Sequence, residues 1–253
     1  MSLRQYVSAL VTVNVTGVIT MADPTDPATQ DAHLETVDML LHLSRRSQAM
    51  VDRLIGCLDR MGQQEHDPER LKNFFELDFL ALRMRRNDES LLVLAGGESA
   101  RIRRDPVPLE EVLQGACSEV EDFRRIEFGV VEPGLVVAAP VVNDLVHLLA
   151  ELFDNAAAFS APDTKVLVEV RRVTDRAVIL IEDRGIGIPP ARLRELNQRL
   201  AQPTPPSAIT VRQMGVGVVG RLAQRHDIRV ELEPAGERGI AASVVLPSHT
   251  LAG

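Results

Sequence analysis

The apolar positions of this chain of 253 residues change their spacing partway along it. From about Leu34 to Met61 the period is helical. Val51, Leu54, Leu58 and Met61 recur at three- and four-residue steps, with Arg, Asp and Gln between them. "GQQEHDPER" then supplies a turn and an Asp-Pro helix start. A second helix is predicted from about Glu69 to Ala95. It carries Phe74, Leu77, Leu80, Met84 and Leu91 along one stripe, and the Gly-rich "AGGESA" ends it. Two antiparallel helices of this length cannot bury both stripes by themselves. Pairing with a second copy as a four-helix bundle is the expected solution, and packing on the rest of the same chain is the alternative.

Residues 1–33 include "MADPTDPATQDAH", where Pro, Asp and Thr break the period, and are read as a linker or weakly ordered arm. The helical hairpin occupies 34–100, and a second domain fills 101–253. Helices are expected there at "PLEEVLQGACSEVEDF", "VVNDLVHLLAELFDNAAAFS", "PARLRELNQRLA" and from about Gly217. Strands are expected at "RIEFGVV", "KVLVEVRRV", "RAVILIED", "IRVELE" and "IAASVVLP". Hairpin-like spacings between them predict a mostly antiparallel sheet with helices on one face, an α/β sandwich within an α+β chain.

Composition narrows this picture. Aromatic residues are 3% of the chain, with no Trp and one Tyr, so the cores are built from Leu, Val, Ile and Ala. A net charge of −8 argues against general nucleic-acid binding, which needs a basic face. Cys57 and Cys117 lack metal-ligand spacing and are read as buried free thiols of a reducing compartment. The apolar run "VSALVTVNVTGVITMA" is shorter than the roughly 20 residues of a membrane helix and lacks signal-peptide features. A cytoplasmic location is therefore expected, either for a whole protein or for the cytoplasmic part of a membrane sensor.

Three features of the second domain carry chemistry. Glu151 and Asn155 in "ELFDNA" stand four apart on a helix, so a carboxylate and a carboxamide share one face and suit a hard cation such as Mg²⁺, although such a pair is more commonly a solvated helix face. In "LIEDRGIGIPP" an apolar strand ends in Asp183, an acceptor for an exocyclic amine such as that of adenine. Gly185 and Gly187 follow it, allowing close backbone approach. An ordinary strand-to-helix turn explains the same residues equally well. Gly215 and Gly217 then enter a helix whose N–H groups suit phosphate. With Gly220 they spell G-x-G-x-x-G, but the dinucleotide-binding form of that motif follows a strand, and "PTPPSAITVRQM" precedes this one. Gly220 is read instead as a small residue packing a helix, and Glu231 and Glu233 as the solvent side of an edge strand.

In this order, about 28 and 32 residues apart, these features resemble the N, G1 and G2 boxes of the GHKL ATPase superfamily, with "GERGIAASVVLP" in place of the usual final motif. Residues 36–247 look like the cytoplasmic core of actinobacterial sensor histidine kinases of the nitrate-sensor-like and conservon types. The quoted matches are "LSRRSQAMVDRLIGCLDRM", "DPERLKNFFELDFLALRMRRNDESLLVLAGG", "DLVHLLAELFDNA" and "VVGRLAQRHDIRV". The resemblance implies a dimerisation stalk followed by a Bergerat-type ATP-binding domain. It implies Mg²⁺ at Asn155, adenine at Asp183 with Gly185 and Gly187 beside it, and the phosphate end of a lid at Gly215 and Gly217. Residues 191–213 would be that lid, and Glu151 a water-activating base or a residue of the metal shell.

The implied partners are a second copy of the chain and a response regulator, or roadblock-like proteins and a small GTPase around a non-catalytic scaffold. Two positions depart from the pattern. The family reads L-D-H-L-A-T-R-x-R-R in the second stalk helix, whereas this chain reads "LDFLALRMRR". Phe79 thus replaces the phosphate-accepting His, and a phenyl ring cannot form a phosphoramidate, so the resemblance implies either Mg–ATP binding with slow hydrolysis or nucleotide-dependent signalling, or an active histidine kinase with a substituted acceptor. Ala158 stands where many of these kinases carry a basic residue, which weakens the expected phosphate contact.

Overall fold

A computed structural model describes residues 27–63, 65–97, 103–202, 214–236 and 238–252. The chain divides into Met1–Met39 and a compact unit, Leu40–Gly253. Helix α1 (Pro27–Gly62) begins earlier than the sequence pattern indicates. Residues 28–33 contain no helix breaker, and Pro27 is tolerated in a first turn, where its missing N–H is not needed. Helix α2 (Pro68–Leu94) starts at an Asp67 cap whose side chain accepts the Glu69 N–H at 2.9 Å.

The two helices share a small core of Val51, Leu58 and Ala81, with Ile55 and Phe74 packed on it. Most of the predicted stripe points elsewhere, since Leu77, Leu80, Met84 and Leu91 are exposed on α2 and Met50, Leu54 and Met61 on α1. The last turn of α2 behaves differently. Val93 and Leu94 belong to the main core, so the stalk is continuous with the domain that follows it.

That domain holds a pair of two-residue strands, β1 (Val107–Pro108) and β3 (Val136–Val137), which the hydrophobic pattern does not reveal. Its main sheet comprises β2 (Ile126–Val131), β4 (Val166–Val173), β5 (Arg176–Glu182), β6 (Arg229–Pro234) and β7 (Ile240–Leu246). The strand order is β2-β4-β5-β7-β6, with β2–β4 parallel and every other pair antiparallel. Burial alternates over Val166–Val170 of β4 and along all of β5. Val166, Val168, Val170, Ala177, Ile179 and Ile181 are buried, and the residues between them are half-buried or exposed.

Helices α3 (Leu109–Ser118), α4 (Val142–Phe159), α5 (Pro190–Ala201) and α6 (Met214–Arg225) complete the α+β architecture. α3 stops short of the predicted end, and a single turn of tighter helix at Phe123–Arg125 leads into β2. α4 packs on β4 and β5, while α5 and α6 pack on β6. Gly220 is a packing residue, because a Cβ there would meet Arg199 O at 3.2 Å. β6 is an edge strand, as expected. The reading of the cysteines is half right. Both are free, but Cys57 is exposed on the outer side of α1 and Cys117 is only half-buried.

The core centres on α4, where Leu145, Leu148, Leu149 and Phe153 have no exposed surface. Phe153→Ala is expected to cost about 3–5 kcal/mol in urea denaturation, because the cavity it leaves is walled by sheet and helix and cannot close.

Candidate functional site

Burial of one side of α4 decides what its other side presents. His147, Glu151 and Asn155 lie at successive four-residue steps and form one stripe along the helix. The start of α6 stands over the lower part of that stripe. A Cβ on Gly215 would lie 2.7 Å from Glu151 Oε2 and 3.6 Å from Asn155 Nδ2, so the start of α6 lies directly on this stripe and a larger residue there would push the Glu151 carboxylate aside. Helix α6 begins at Met214, which places Gly215 and Gly217 inside its first turn rather than ahead of it.

One further turn of α4, about 6 Å of rise, leads to the second part of the site. Ser160 pairs with Gly185 in an isolated antiparallel bridge. A Cβ on Gly185 would clash with Phe159 O and lie 2.8 Å from Asp183 Oδ1. Asp183 Oδ1 accepts the Gly185 N–H at 2.7 Å, and the Asp183 N–H donates to Ile240 O at 2.9 Å. Burial pushes the Asp183 carboxyl above its ordinary range, against the hydrogen bonds it accepts. Gly187 (φ 72°) and Gly239 (φ 121°) supply backbone conformations that other residues rarely adopt, and a Cβ on Gly239 would collide with Asp183 O.

The upper part of the stripe faces the stalk. Ser90 Oγ and His147 Nε2 are hydrogen-bonded at 2.9 Å. Arg86 Nε lies 3.4 Å from Glu151 Oε1, and Arg86 Nη2 pairs with Asp154 Oδ2. Burial raises the Glu151 pKa, but the His147 hydrogen bond and the Arg86 charge outweigh it and hold the carboxyl below its usual range. Sequence reasoning missed Arg86, Ser90 and His147. The only available signal was that His147 precedes Glu151 by the same four residues that separate Glu151 from Asn155.

Phe79 is half-buried on α2, seven residues before Arg86 and therefore about 10 Å nearer the turn that joins α1 to α2. The expected lid divides in two. Residues 190–201 are helix, tied to β6 by Asn197, whose Nδ2 donates to Leu232 O and whose Oδ1 accepts the Leu232 N–H, both at 2.8 Å. Flexibility across all of 191–213 is therefore not what the fold provides, and 203–213 lie outside the described residues. Ala158 and Ile186 are exposed. Among the described residues no cluster of three acidic, His or Cys side chains could enclose a metal, and no helix is long and apolar enough to cross a membrane.

This arrangement defines a class. Residues 141–250 match the family of histidine kinase-, DNA gyrase B- and HSP90-like ATPases, so this part of the chain is the ATP-binding GHKL domain of a histidine kinase-like protein. The histidine-protein kinase/phosphatase MprB of Mycobacterium ulcerans is 26% identical over 167 residues, covering 64% of this chain and 32% of its own. The circadian input-output histidine kinase CikA of Synechococcus elongatus is 28% identical over 111 residues, covering 42% of this chain and 14% of its own. The chain thus spans about a third or less of the length of these curated relatives. Full-length ShkA, solved in complex with AMPPNP, shares the fold with a TM-score of 0.53 at 18% identity, over 85% of this chain and 46% of that one.

Beside the site, Asp144 ties three elements together. Arg225 Nη1 donates to Asp144 Oδ2 at 2.9 Å, Arg225 Nη2 donates to Gly97 O at 2.9 Å, and His226 Nε2 lies 2.8 Å from Asp144 Oδ2. Burial raises the Asp144 pKa, but the His226 and Arg225 contacts prevail and the net shift is downward. A depressed carboxyl stabilises the fold fully above its unfolded value, near pH 4, and loses that contribution as pH falls through the lower folded value. Asp144→Asn should therefore lower stability at neutral pH and flatten the acid limb of a curve of urea midpoint against pH.

Proposed function

We propose that the chain binds Mg–ATP along α4, between the Asp183–Gly185 turn and the start of α6. In this reading it signals through its nucleotide state or through slow hydrolysis, and not by phosphorylating position 79. The observation that carries the reading is the seating of Gly215 against Glu151 and Asn155. It brings a helix N-terminus, whose N–H groups attract phosphate, to the stripe of α4 that bears Glu151 and Asn155.

The roles then follow from chemistry. Asp183, with one oxygen committed to Gly185, accepts the adenine amine through the other. Gly185 and Gly187 keep the wall beside the base free of side chains. Gly215 and Gly217 let the first turn of α6 meet the phosphates. Asn155, with Glu151 beside it, would hold Mg²⁺. Two protein oxygens suffice, because this ion keeps waters and takes its remaining ligands from phosphate. When bound, the ion would neutralise charge on the phosphates. Glu151 would orient the attacking water and accept its proton.

The exposed apolar faces of α1 and α2 are assigned to a second copy of the chain. Met50 is 64% exposed, Leu80 53% and Met84 50%, more apolar surface than a solitary hairpin retains. With Phe79 on the stalk, a response regulator has no phosphohistidine to draw on. Partners that read nucleotide state by contact, such as roadblock-like proteins and a small GTPase, fit this site better.

Asp183→Asn should weaken ATP binding about tenfold or more in calorimetry with Mg²⁺, the worth of one hydrogen bond to a charged group. No binding by the unaltered protein at millimolar ATP would sink the proposal. Incubated with radiolabelled ATP, the unaltered protein should take up no acid-labile phosphate, while Phe79→His should gain it. Label on the unaltered chain would show that another residue accepts the phosphoryl group.

A further inference from the structure

Ser90 lies on α2 about three turns past Phe79, roughly 16 Å farther along the helix, and only 2% of it is exposed. A hydroxyl buried that deeply needs partners, and those of Ser90 belong to the site stripe of α4. Its Oγ is 2.9 Å from His147 Nε2. Against the burial that raises it, the Glu151 carboxyl is held low by His147, by Arg86 and by the Ser90 hydroxyl. In the tautomer that carries the proton on Nε2, His147 donates to Oγ, and the hydroxyl proton is left for the Glu151 carboxylate.

That carboxylate also borders the other half of the site. Glu151 Oε2 is the atom a Cβ on Gly215 would meet at 2.7 Å. One carboxyl group therefore stands between the Ser90 hydroxyl and the start of α6, where the phosphates are assigned above. An attacking water was given this same base, and an alcohol hydrogen-bonded to it is activated in the same way. One turn before Ser90, the Arg86 side chain is 7% exposed, and its Nε lies 3.4 Å from Glu151 Oε1. Its Nη1 donates to Glu119 O and its Nη2 pairs with Asp154, but Nε is buried without a hydrogen bond. A guanidinium N–H kept from water and left unmatched beside a nucleophile is a donor for an anion.

We propose that Ser90 is a phosphoryl acceptor, and that the chain transfers the γ-phosphoryl group of a bound nucleoside triphosphate to its own Ser90. The proposal rests on the nucleotide site proposed above and adds a second reaction to it. Ser90 Oγ attacks the γ-phosphorus while its proton passes to Glu151. The Oγ–P bond forms, the bond from that phosphorus to the β–γ bridging oxygen breaks, and the nucleoside diphosphate leaves with the oxygen. The product is a phosphate ester whose charge meets Arg86 one turn away, through the nitrogen that has no other partner. No histidine is needed at position 79, and the ester, unlike a phosphoramidate, survives acid.

The test incubates the intact chain with γ-radiolabelled ATP and Mg²⁺, and maps the label by phosphoamino-acid analysis and mass spectrometry. The unaltered protein should take up label that is stable in acid, lost in alkali and located on Ser90. Because Ser90 meets the Glu151 of its own chain, the rate constant should not change with protein concentration. Ser90→Ala should lose the label while still binding AMPPNP in calorimetry, which also shows that it is folded. Ser90→Thr should keep the label as phosphothreonine, an outcome that a purely structural serine would not produce. Glu151→Gln should slow labelling about a hundredfold or more. Absence of acid-stable label on a protein that binds AMPPNP, or label that persists in Ser90→Ala, would overturn the acceptor and leave the nucleotide site standing. A rate constant that rises with protein concentration would overturn transfer within one chain. Failure of the unaltered protein to bind AMPPNP would overturn the site and the acceptor together.

Discussion

The structure depends on how α4 is buried. Leu145, Leu148, Leu149 and Phe153 are sealed against β4 and β5, which fixes the rotation of the helix about its axis. With that rotation set, the stripe of His147, Glu151 and Asn155 has one place to go: between the stalk on one side and the start of α6 on the other. The end of the same helix runs into Ser160 and its bridge to Gly185. One packed helix thereby sets the spacing of every group assigned here to nucleotide. An error of rotation that displaced Phe153 would displace the site as well.

Around this fixed helix the neighbours are attached with different firmness. Asn197 secures α5 to β6 through two backbone hydrogen bonds, and Val93 and Leu94 secure the end of the stalk in the main core. The stretch of α2 around Arg86 is held chiefly by ion pairs and leaves polar atoms unmatched. Phe79 lies on that same helix, two turns away. A phenyl ring there carries no nucleophilic nitrogen, and it leaves the contact between this helix and the ATP-binding domain in place.

Much of this was legible along the chain. The alternation in "VLVEVRRV" and "RAVILIE" marks strands with one buried face, and β4 and β5 have that form. Asp183 with Gly185, and Gly215 in its run, stand where local chemistry calls for a bare backbone, and a Cβ at either glycine meets nearby atoms. Legibility failed where the reason was not local. The two-residue strands β1 and β3 have no period to detect and exist because they find each other. Pro27 lies in a stretch whose Pro, Asp and Thr suggest a broken arm, although as a first-turn residue it is compatible with the helix that begins there.

The sequence by itself determined the longer elements, the glycine positions and the carboxylate and carboxamide on one face of α4. Those depend on residue type and on spacings within a single helix, strand or turn. Tertiary structure alone decided that Arg86 and Ser90 meet Glu151, Asp154 and His147, residues more than fifty positions away in the chain. It also decided that the two oxygens of one carboxylate are shared between α2 and the start of α6. A salt bridge leaves no pattern along a chain: any exposed arginine can form one, and only packing determines which acid it reaches.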